Sequence, residues 1–530
     1  MTEFKFQRWQ PLLFLALLVA IFSRFWHIMN NQFLFYDEGM YLGYNRKFLD
    51  LVATNPPKDI HELFIILGLM FKASLSTAKS LWFFLLNLRV FNLGVESWYF
   101  ARVLSAVSGI ATITLTFIFA YRYFQSKRIA LLSASFLSIL PSHVFYSRLG
   151  MQESLSTLLF LSAITGYLLL RSQKWTPVLV ALLLSCVFFT NYRMIISPIF
   201  IIAIEVFESF KNKKSMDWKR LLICVGSFCF IVFFIGSLYG GINFQITFGW
   251  MFHQAQEAKA EHGNLLNFFS YPYYTFVLEG LFFAFIFWAN MYLMIKKQHS
   301  RLLPFILVLL QMGIFSFAAE KGARYLCVVL PFMAIAAAGS ADYFLSFNKI
   351  KKFSTLVILL SCIFMGVKSF QVMISTTDYP QAVNLVLNHD PKAKILSTQP
   401  LVEQLYVKNE ENVKECPKNL MDFISLYQQG YRYLILDPQV YISWTKDTHR
   451  FSQPLIDFLE FINEKVPPKA VFLHLNKTLL ERFVLDHNQN LGQSIIFLSE
   501  SSRGNYGQIK IYDIGQCLML LKQQATLQKI

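Results

Sequence analysis

Two adjacent carboxylates stand in Phe35-Tyr36-Asp37-Glu38-Gly39-Met40-Tyr41, a few residues after the first long apolar run. Acids flanked by aromatics here suit two roles. One is removal of a proton from a weak acid such as an alcohol, which needs a carboxylate base. The other is structural, because acids favour the first turn of a helix. A second acid, Glu153, ends the short segment Tyr146-Ser147-Arg148-Leu149-Gly150-Met151-Gln152-Glu153. It can start a helix, pair with Arg148, or belong to a site. A charge at the bilayer centre costs about 2.5–3.5 kcal/mol on insertion scales, so charges near hydrocarbon mark a pair or a site.

Three cations complete the set. Arg193 follows Asn191-Tyr192, and Lys321 and Arg324 lie in Glu320-Lys321-Gly322-Ala323-Arg324-Tyr325. They suit an anionic headgroup such as a phosphate, or serve as interfacial anchors that snorkel. Each signal is weak alone. Together they describe acids to receive a proton and cations to hold a phosphate.

The elements that must position these residues are apolar. Of 530 residues, 55% are hydrophobic and only 15% charged, and mean hydropathy is +0.44. A soluble domain carries about a quarter of its residues as charges, so lipid covers much of this protein. Fifty-five Phe and 24 Tyr agree with that. Runs long enough to cross about 30 Å of hydrocarbon lie near 11–29, 101–121, 129–146, 154–170, 176–190, 194–210, 220–239, 275–295, 302–319, 325–346 and 354–375, about eleven crossings. The fifth and sixth, joined by Thr190-Asn191-Tyr192-Arg193, are short enough to be re-entrant. No small-residue cleavage site follows Ile28-Met29, so the first run reads as a retained anchor.

Basic residues orient the spans. Lys5 and Arg8 precede the first, and Arg122, Lys127 and Arg128 follow the second. Arg171 and Lys174 follow the fourth, Lys211 to Arg220 the sixth, Lys296 to Arg301 the eighth, and Lys349 to Lys352 the tenth. Every second loop is basic and therefore cytoplasmic. The segments 30–100, 147–153, 191–193, 240–274, 320–324 and everything beyond 376 then face outward. The net charge of +16 is absorbed by this orientation, and nucleic acid is not an expected partner.

Composition changes at Thr376-Thr377-Asp378-Tyr379-Pro380. Beyond it "AKILST", "YRYLILDP", "AVFLHL", "SIIFLS" and "QIKIYDI" read as strands, while "NLMDFISLYQQG" and "PLIDFLEFINEK" have helical spacing. Alternation of this kind predicts an α/β domain. The expected division is 1–376, a transmembrane domain with an outer loop at 30–100, and 377–530, a soluble extracytoplasmic domain. Cys416 and Cys517 could pair there. No CxxC or His/Cys cluster points to a metal.

At these residues the chain resembles the GT-C superfamily of glycosyltransferases, in particular the glycosyltransferase family 39-like group of protein O-mannosyltransferases and lipid A aminoarabinose transferases. The Asp37-Glu38 pair after one N-terminal span is similar to that group's first-loop acid. "ARVLSAVSGIATI" resembles its Arg-x-x-Ser segment, "LPSHVFYSRLGMQESL" its Pro…Ser-Arg…acid segment, "TNYRMIISP" its Thr-Lys…Pro segment and "RYLCVVLP" its Arg-Tyr…Pro segment. The resemblance spans roughly 10–345. It departs in having Glu153 where Asp is commoner, Arg193 where Lys is commoner, and Asn55-Pro56-Pro57 with His61 in place of a His-Pro-Pro pattern.

The resemblance implies a polytopic α-helical membrane protein of GT-C type with a C-terminal extracytoplasmic α/β domain. It implies inverting transfer of a sugar from a polyprenyl- or dolichyl-phosphate donor to an acceptor hydroxyl on a glycan, lipid or protein. Asp37 is then the base, Glu38 and Glu153 shape the acceptor side, and Arg193, Lys321, Arg324 and Tyr325 bind donor phosphate, with Arg148 either joining them or holding Glu153. No separate ligand set for a divalent ion is visible, and no cofactor is expected. The expected location is a bacterial or archaeal cell (inner) membrane with a cytoplasmic N-terminus. Stretches such as "HELFIILGLMF" and "SLWFFLLNLRVF" would lie on the membrane, and the aromatic loop 244–274 with Trp250, His253, Tyr271 and Tyr273 would cover the site. A transporter or flippase of lipid-linked sugars is the alternative, but such proteins carry repeated halves and midplane charges, which this sequence lacks.

Overall fold

In a computed structural model of the chain the described residues are 10–28, 36–75, 79–88, 97–241, 244–245, 249, 268–317, 321–375, 378–417, 419–437, 453–473, 486–487 and 508–527. Trp250, His253, Glu320 and the "SIIFLS" segment lie outside them. The chain divides into two compact units, one of Met1–Ile28 and Asn45–Met373, the other of Met29–Tyr44 and Ile374–Ile530. The division falls inside the helix Tyr36–Thr54.

The first unit is helical. Each of the eleven apolar runs contains helix among the described residues. Among the described residues four helices are long and apolar enough to cross a membrane: Tyr99–Phe124, Trp218–Leu238, Ala323–Leu345 and one beginning at Lys351. Gln10–Phe25, Glu153–Leu169, Thr176–Thr190, Leu281–Ile295 and Leu303–Ser316 are apolar but shorter. Several starts are set by proline in the first turn, at Pro141, Pro177, Pro198, Pro304 and Pro331, where the missing N–H forfeits no helical bond. Glu153–Leu169 packs on Ser97–Phe124 and Thr176–Thr190, while Leu330–Leu345 packs on Lys127–Ile139, Leu281–Trp288 and Leu303–Ser316. Small residues of that last helix, Ala334, Ala336, Ala337, Ala338 and Ser340, are completely buried, which lets neighbouring backbones approach. The opposite extreme is Lys351–Ile374, whose Phe353, Leu356, Leu359, Ile363, Phe364, Val367 and Phe370 are exposed. An apolar stripe of that extent marks a surface for lipid or another protein.

Carboxylates bind several of the basic residues. Asp342 holds Arg301 at 3.0 Å and Arg128 at 3.3 Å. Glu205 holds Arg171 at 2.9 Å and accepts from the Tyr167 hydroxyl at 2.7 Å, with Arg220 at 3.7 Å and its guanidinium over the Tyr167 ring.

The second unit is built on a five-stranded sheet: β1 (Lys394–Ser397), β2 (Val413–Glu415), β3 (Tyr431–Leu436), β4 (Ala470–Leu473) and β5 (Gln508–Asp513). Their spatial order is β2-β1-β3-β5-β4. β1 is parallel to β2 and β3, while β5 runs antiparallel to β3 and β4. Helices Leu420–Gln428 and Gln453–Lys465 supply Phe423, Leu455, Phe458, Leu459 and Ile462 to a core shared with Leu434, Leu436 and Tyr512. Cys416 and Cys517 lie in this core as free thiols, so the pairing considered from sequence is not formed. Short β2 and the helices Tyr379–His389 and Ile514–Leu527 are seen only in the structure.

Candidate active site

Two arginines converge on the C-terminal end of the first helix, Gln10–Phe25, and a third, Arg24, belongs to it. Arg148 donates through Nη1 to the carbonyls of Ser23 at 2.9 Å, Arg24 at 3.3 Å and Trp26 at 3.0 Å, and through Nη2 to Met373 O at 3.4 Å. Arg102 donates to Ile28 O at 2.9 Å. Arg24 reaches the other way, to Ser138 O at 2.6 Å, Leu137 O at 3.2 Å and His143 Nδ1 at 2.7 Å. A guanidinium has no acceptor, so His143 Nδ1 accepts and its ring proton sits on Nε2. The last carbonyls of a helix lack intrahelical partners, and the first two arginines supply them. Arg148 is therefore engaged with backbone. The arrangement ties it to the first helix, not to Glu153.

Glu153 opens the helix Glu153–Leu169 and is buried, with Gln152 Nε2 3.2 Å from its Oε1. Its segment is held from one side by Ser97–Phe124. Ser105 Oγ donates to Met151 O at 2.9 Å, and Ser154 Oγ donates to Ser105 O at 2.8 Å. One turn on, a Cβ built on Gly109 would lie 2.5 Å from Ser147 Cβ. Only glycine lets the two backbones approach this closely.

Arg193 and Arg324 stand on 3-10 segments that lead into helices, Tyr192–Ile196 and Ala323–Val329. A 3-10 stretch within a helical run often marks a functional hinge. The Arg193 guanidinium lies 4.5 Å from the Tyr325 ring centroid and 5.4 Å from that of Tyr192. Tyr325 is fixed by stacking on Phe315 at 5.0 Å and by Gln311 Nε2 donating to its carbonyl at 2.6 Å. Arg324 lies 5.8 Å from the same ring. Arg193, Arg324 and Tyr325 therefore form one cluster. Lys321 lies three residues before Arg324, and its side chain lies outside the described residues.

Glu153, Arg324 and a further acid, Glu279, all act electrostatically on Tyr146 and Cys327, and Arg193 acts on Tyr271. The structure thus gathers Glu153, Arg193, Arg324 and Tyr325 and adds Glu279, Tyr146 and Tyr271. Glu279 ends a π-helical turn, Thr275–Glu279, and precedes Gly280, whose φ is +102°. It accepts from Ser142 through both hydroxyl and amide. Its sequence signal was available, an acid followed by glycine inside an apolar run, and it corrects the expectation that the spans carry no charge in a broken helix.

Asp37 and Glu38 occupy the first turn of Tyr36–Thr54, where carboxylates favour the helix dipole. Asp37 is half-buried and Glu38 completely buried. Among the described residues no group of three or more His, Cys, Asp or Glu is placed to hold a metal ion.

No protein-family model matches the chain, and no curated protein sequence matches it. Solved structures do. ArnT from Cupriavidus metallidurans, bound to undecaprenyl phosphate, aligns with a TM-score of 0.51 at 14% identity, over 82% of this chain and 94% of that one. The oligosaccharyltransferase AglB from Archaeoglobus fulgidus, in complex with an inhibitory peptide and a dolichol-phosphate, aligns at 0.53 and 11% identity, over 85% and 72%. The Archaeoglobus fulgidus oligosaccharyltransferase in complex with Zn and sulfate aligns at 0.51 and 12%, over 84% and 70%. The chain therefore shares its fold with these solved proteins.

Proposed function

We infer that the protein transfers a sugar from a polyprenyl- or dolichyl-phosphate donor to an acceptor hydroxyl, with inversion. The observation that carries this is the cluster of Arg193, Arg324 and Tyr325 with Glu153 and Glu279 on irregular segments of the membrane unit. It stands in a fold shared with proteins solved with undecaprenyl phosphate and with a dolichol-phosphate.

An acceptor hydroxyl ionises far above neutral pH, so attack needs a base, and Asp37 is assigned that role with Glu38 orienting it. The hydroxyl oxygen bonds to the anomeric carbon from the face opposite the phosphate, its proton passes to Asp37, and the bond to the phosphate oxygen breaks. The leaving lipid phosphate gathers negative charge, which Arg193, Lys321 and Arg324 meet. Glu153 shapes the acceptor side. Arg148 is assigned to holding the first helix, since both its Nη atoms donate to carbonyls. Guanidinium and ammonium groups can supply the positive charge, and full activity in EDTA is the expected outcome.

About eleven crossings with a cytoplasmic N-terminus put the C-terminal unit outside a bacterial or archaeal inner membrane. The decisive experiment is transfer from a radiolabelled polyprenyl-phosphate sugar by purified protein. Asp37→Asn retains size and capping ability but cannot accept a proton, so transfer should fall by about 10²–10⁴-fold at unchanged thermal stability, with Glu38→Gln losing less. Equal rates for Asp37→Asn and the wild type would end this mechanism.

A further inference from the structure

In the C-terminal unit the chain moves from β1 first to β2 on one side and then to β3 on the other. In open α/β sheets the crevice outside the carboxyl ends of strands at such a switch point is where ligands bind. Here those ends are Ser397-Thr398-Gln399 and Asp437. They are tied together: the Asp437 amide donates to Thr398 Oγ1 at 2.9 Å, and the Thr398 amide donates to Ile435 O at 3.3 Å. Tyr379 donates its hydroxyl to the Asp437 carboxylate. Glu403, four residues beyond Gln399, lies near Ser397 and Asp437.

Two of these side chains have polar atoms that the fold does not use. Gln399 is 7% exposed and its Oε1 makes no hydrogen bond, and the Glu403 carboxyl, at 0% exposed, has only the Ser397 hydroxyl to serve its two oxygens, leaving at least one without a partner. A buried polar group left without a partner costs about 1–3 kcal/mol, a cost that binding of a complementary ligand removes. Burial and the nearby Asp437 charge push the Glu403 carboxyl well above its ordinary range. The set contains an amide, two carboxyl groups and hydroxyls but no Lys or Arg. That chemistry does not suit phosphate and does suit alcohol groups.

The same turn receives the helix that carries Asp37. A Cβ on Gly39 would lie 2.9 Å from Leu401 O and 3.1 Å from Val402 N. The helix backbone therefore rests directly on the Gln399–Glu403 turn, with Asp37 and Glu38 immediately before the contact.

We propose that the crevice of Gln399, Glu403 and Asp437 binds the hydroxyl groups of a neutral saccharide, and that this saccharide is the acceptor that Asp37 deprotonates. The second half rests on the glycosyl-transfer reading above, and the first does not.

Saturation-transfer NMR on the full-length protein in detergent, with the methyl α-glycosides of mannose, glucose and galactose as probes, tests the first half. At least one should give signal with the wild type. Gln399→Met, which keeps volume but removes the amide, should weaken it by about tenfold or more. Asp437→Asn serves as the second variant should Gln399→Met fail to fold. In transfer assays Gln399→Met should raise acceptor KM and leave donor KM unchanged. Asp37→Asn should keep the saccharide signal while losing transfer. No signal from any probe with the wild type, or equal binding by folded Gln399→Met and Asp437→Asn, overturns the crevice. Calcium that stabilises the wild type but not Glu403→Gln, with no saccharide signal, would make it a cation site and equally overturn the proposal. Intact saccharide binding with wild-type transfer by Asp37→Asn would overturn only the second half.

Discussion

The Arg148 guanidinium donates to the carbonyl of Ser23, 125 positions earlier in the chain, at 2.9 Å, and the same nitrogen serves Trp26 O at 3.0 Å. An arginine beside an apolar run thus becomes the cap of another helix. Replacing it with glutamine leaves several buried carbonyls without donors, each costing about 1–3 kcal/mol. Arg148→Gln should lower Tm and the folded yield sharply, while the fraction that folds keeps the wild-type donor KM. A raised donor KM at unchanged Tm would return Arg148 to the phosphate site.

Gly109 sets the approach of the segment bearing Glu153. Gly109→Ala places a methyl 2.5 Å from Ser147 Cβ, an overpacking that costs about 1–3 kcal/mol. The 147–153 segment must move, and a shift near 1 Å can cost up to about 10²-fold in rate. The expected result is a fall in kcat that exceeds any change in donor KM. A wild-type kcat would detach Glu153 from the reaction.

Arg324 is assigned to the donor phosphate. Arg324→Ala should raise lipid-donor KM and lower kcat, because the leaving group loses support in the transition state. Arg324→Lys should recover part of both, since it keeps the charge but loses the planar fork. Unchanged kinetics in a folded Ala variant would make Arg324 an interfacial anchor.

Glu403 gives the C-terminal unit a pH dependence of known sign. Its carboxyl is held well above the ordinary range, first by burial and then by Asp437. The folded state therefore keeps a proton that the unfolded chain releases near pH 4.3. Stability is unaffected below that value and declines as pH rises above it toward the folded pKa. In Glu403→Gln that decline should vanish, so the variant's Tm should exceed the wild type's by more at neutral pH than at acid pH. Thermal melts across that range, read by near-ultraviolet circular dichroism, check it.

Much of this architecture is written locally. The strands 394–397, 431–436, 470–473 and 508–513 and the helices 420–428 and 453–465 fall where alternation and helical spacing place them, because such patterns depend only on near neighbours. The helical character of the apolar runs is likewise local, since backbone groups in lipid must bond within their own segment. Breaks inside those runs were less legible. Leu140-Pro141 ends one helix and begins the next, and Gly280 separates a π-turn from Leu281–Trp288. A hydropathy window averages across both.

The sequence by itself determined that the chain is a membrane protein and named the charges lying at the ends of its apolar runs. Partnership was decided only by tertiary structure. Arg148 and Arg193 look alike in sequence, yet one is consumed by the carbonyls of the first helix and the other lies over Tyr325. Cys416 and Cys517, a pair that composition allows, are core thiols. Glu279 passed as part of a span and emerged beside Ser142 with Glu153's neighbours in common. The physical reason is that hydropathy depends on what a side chain is, whereas capping, clustering and the close approach at Gly109 depend on which backbone lies opposite, and that is settled by the packing of segments distant in sequence.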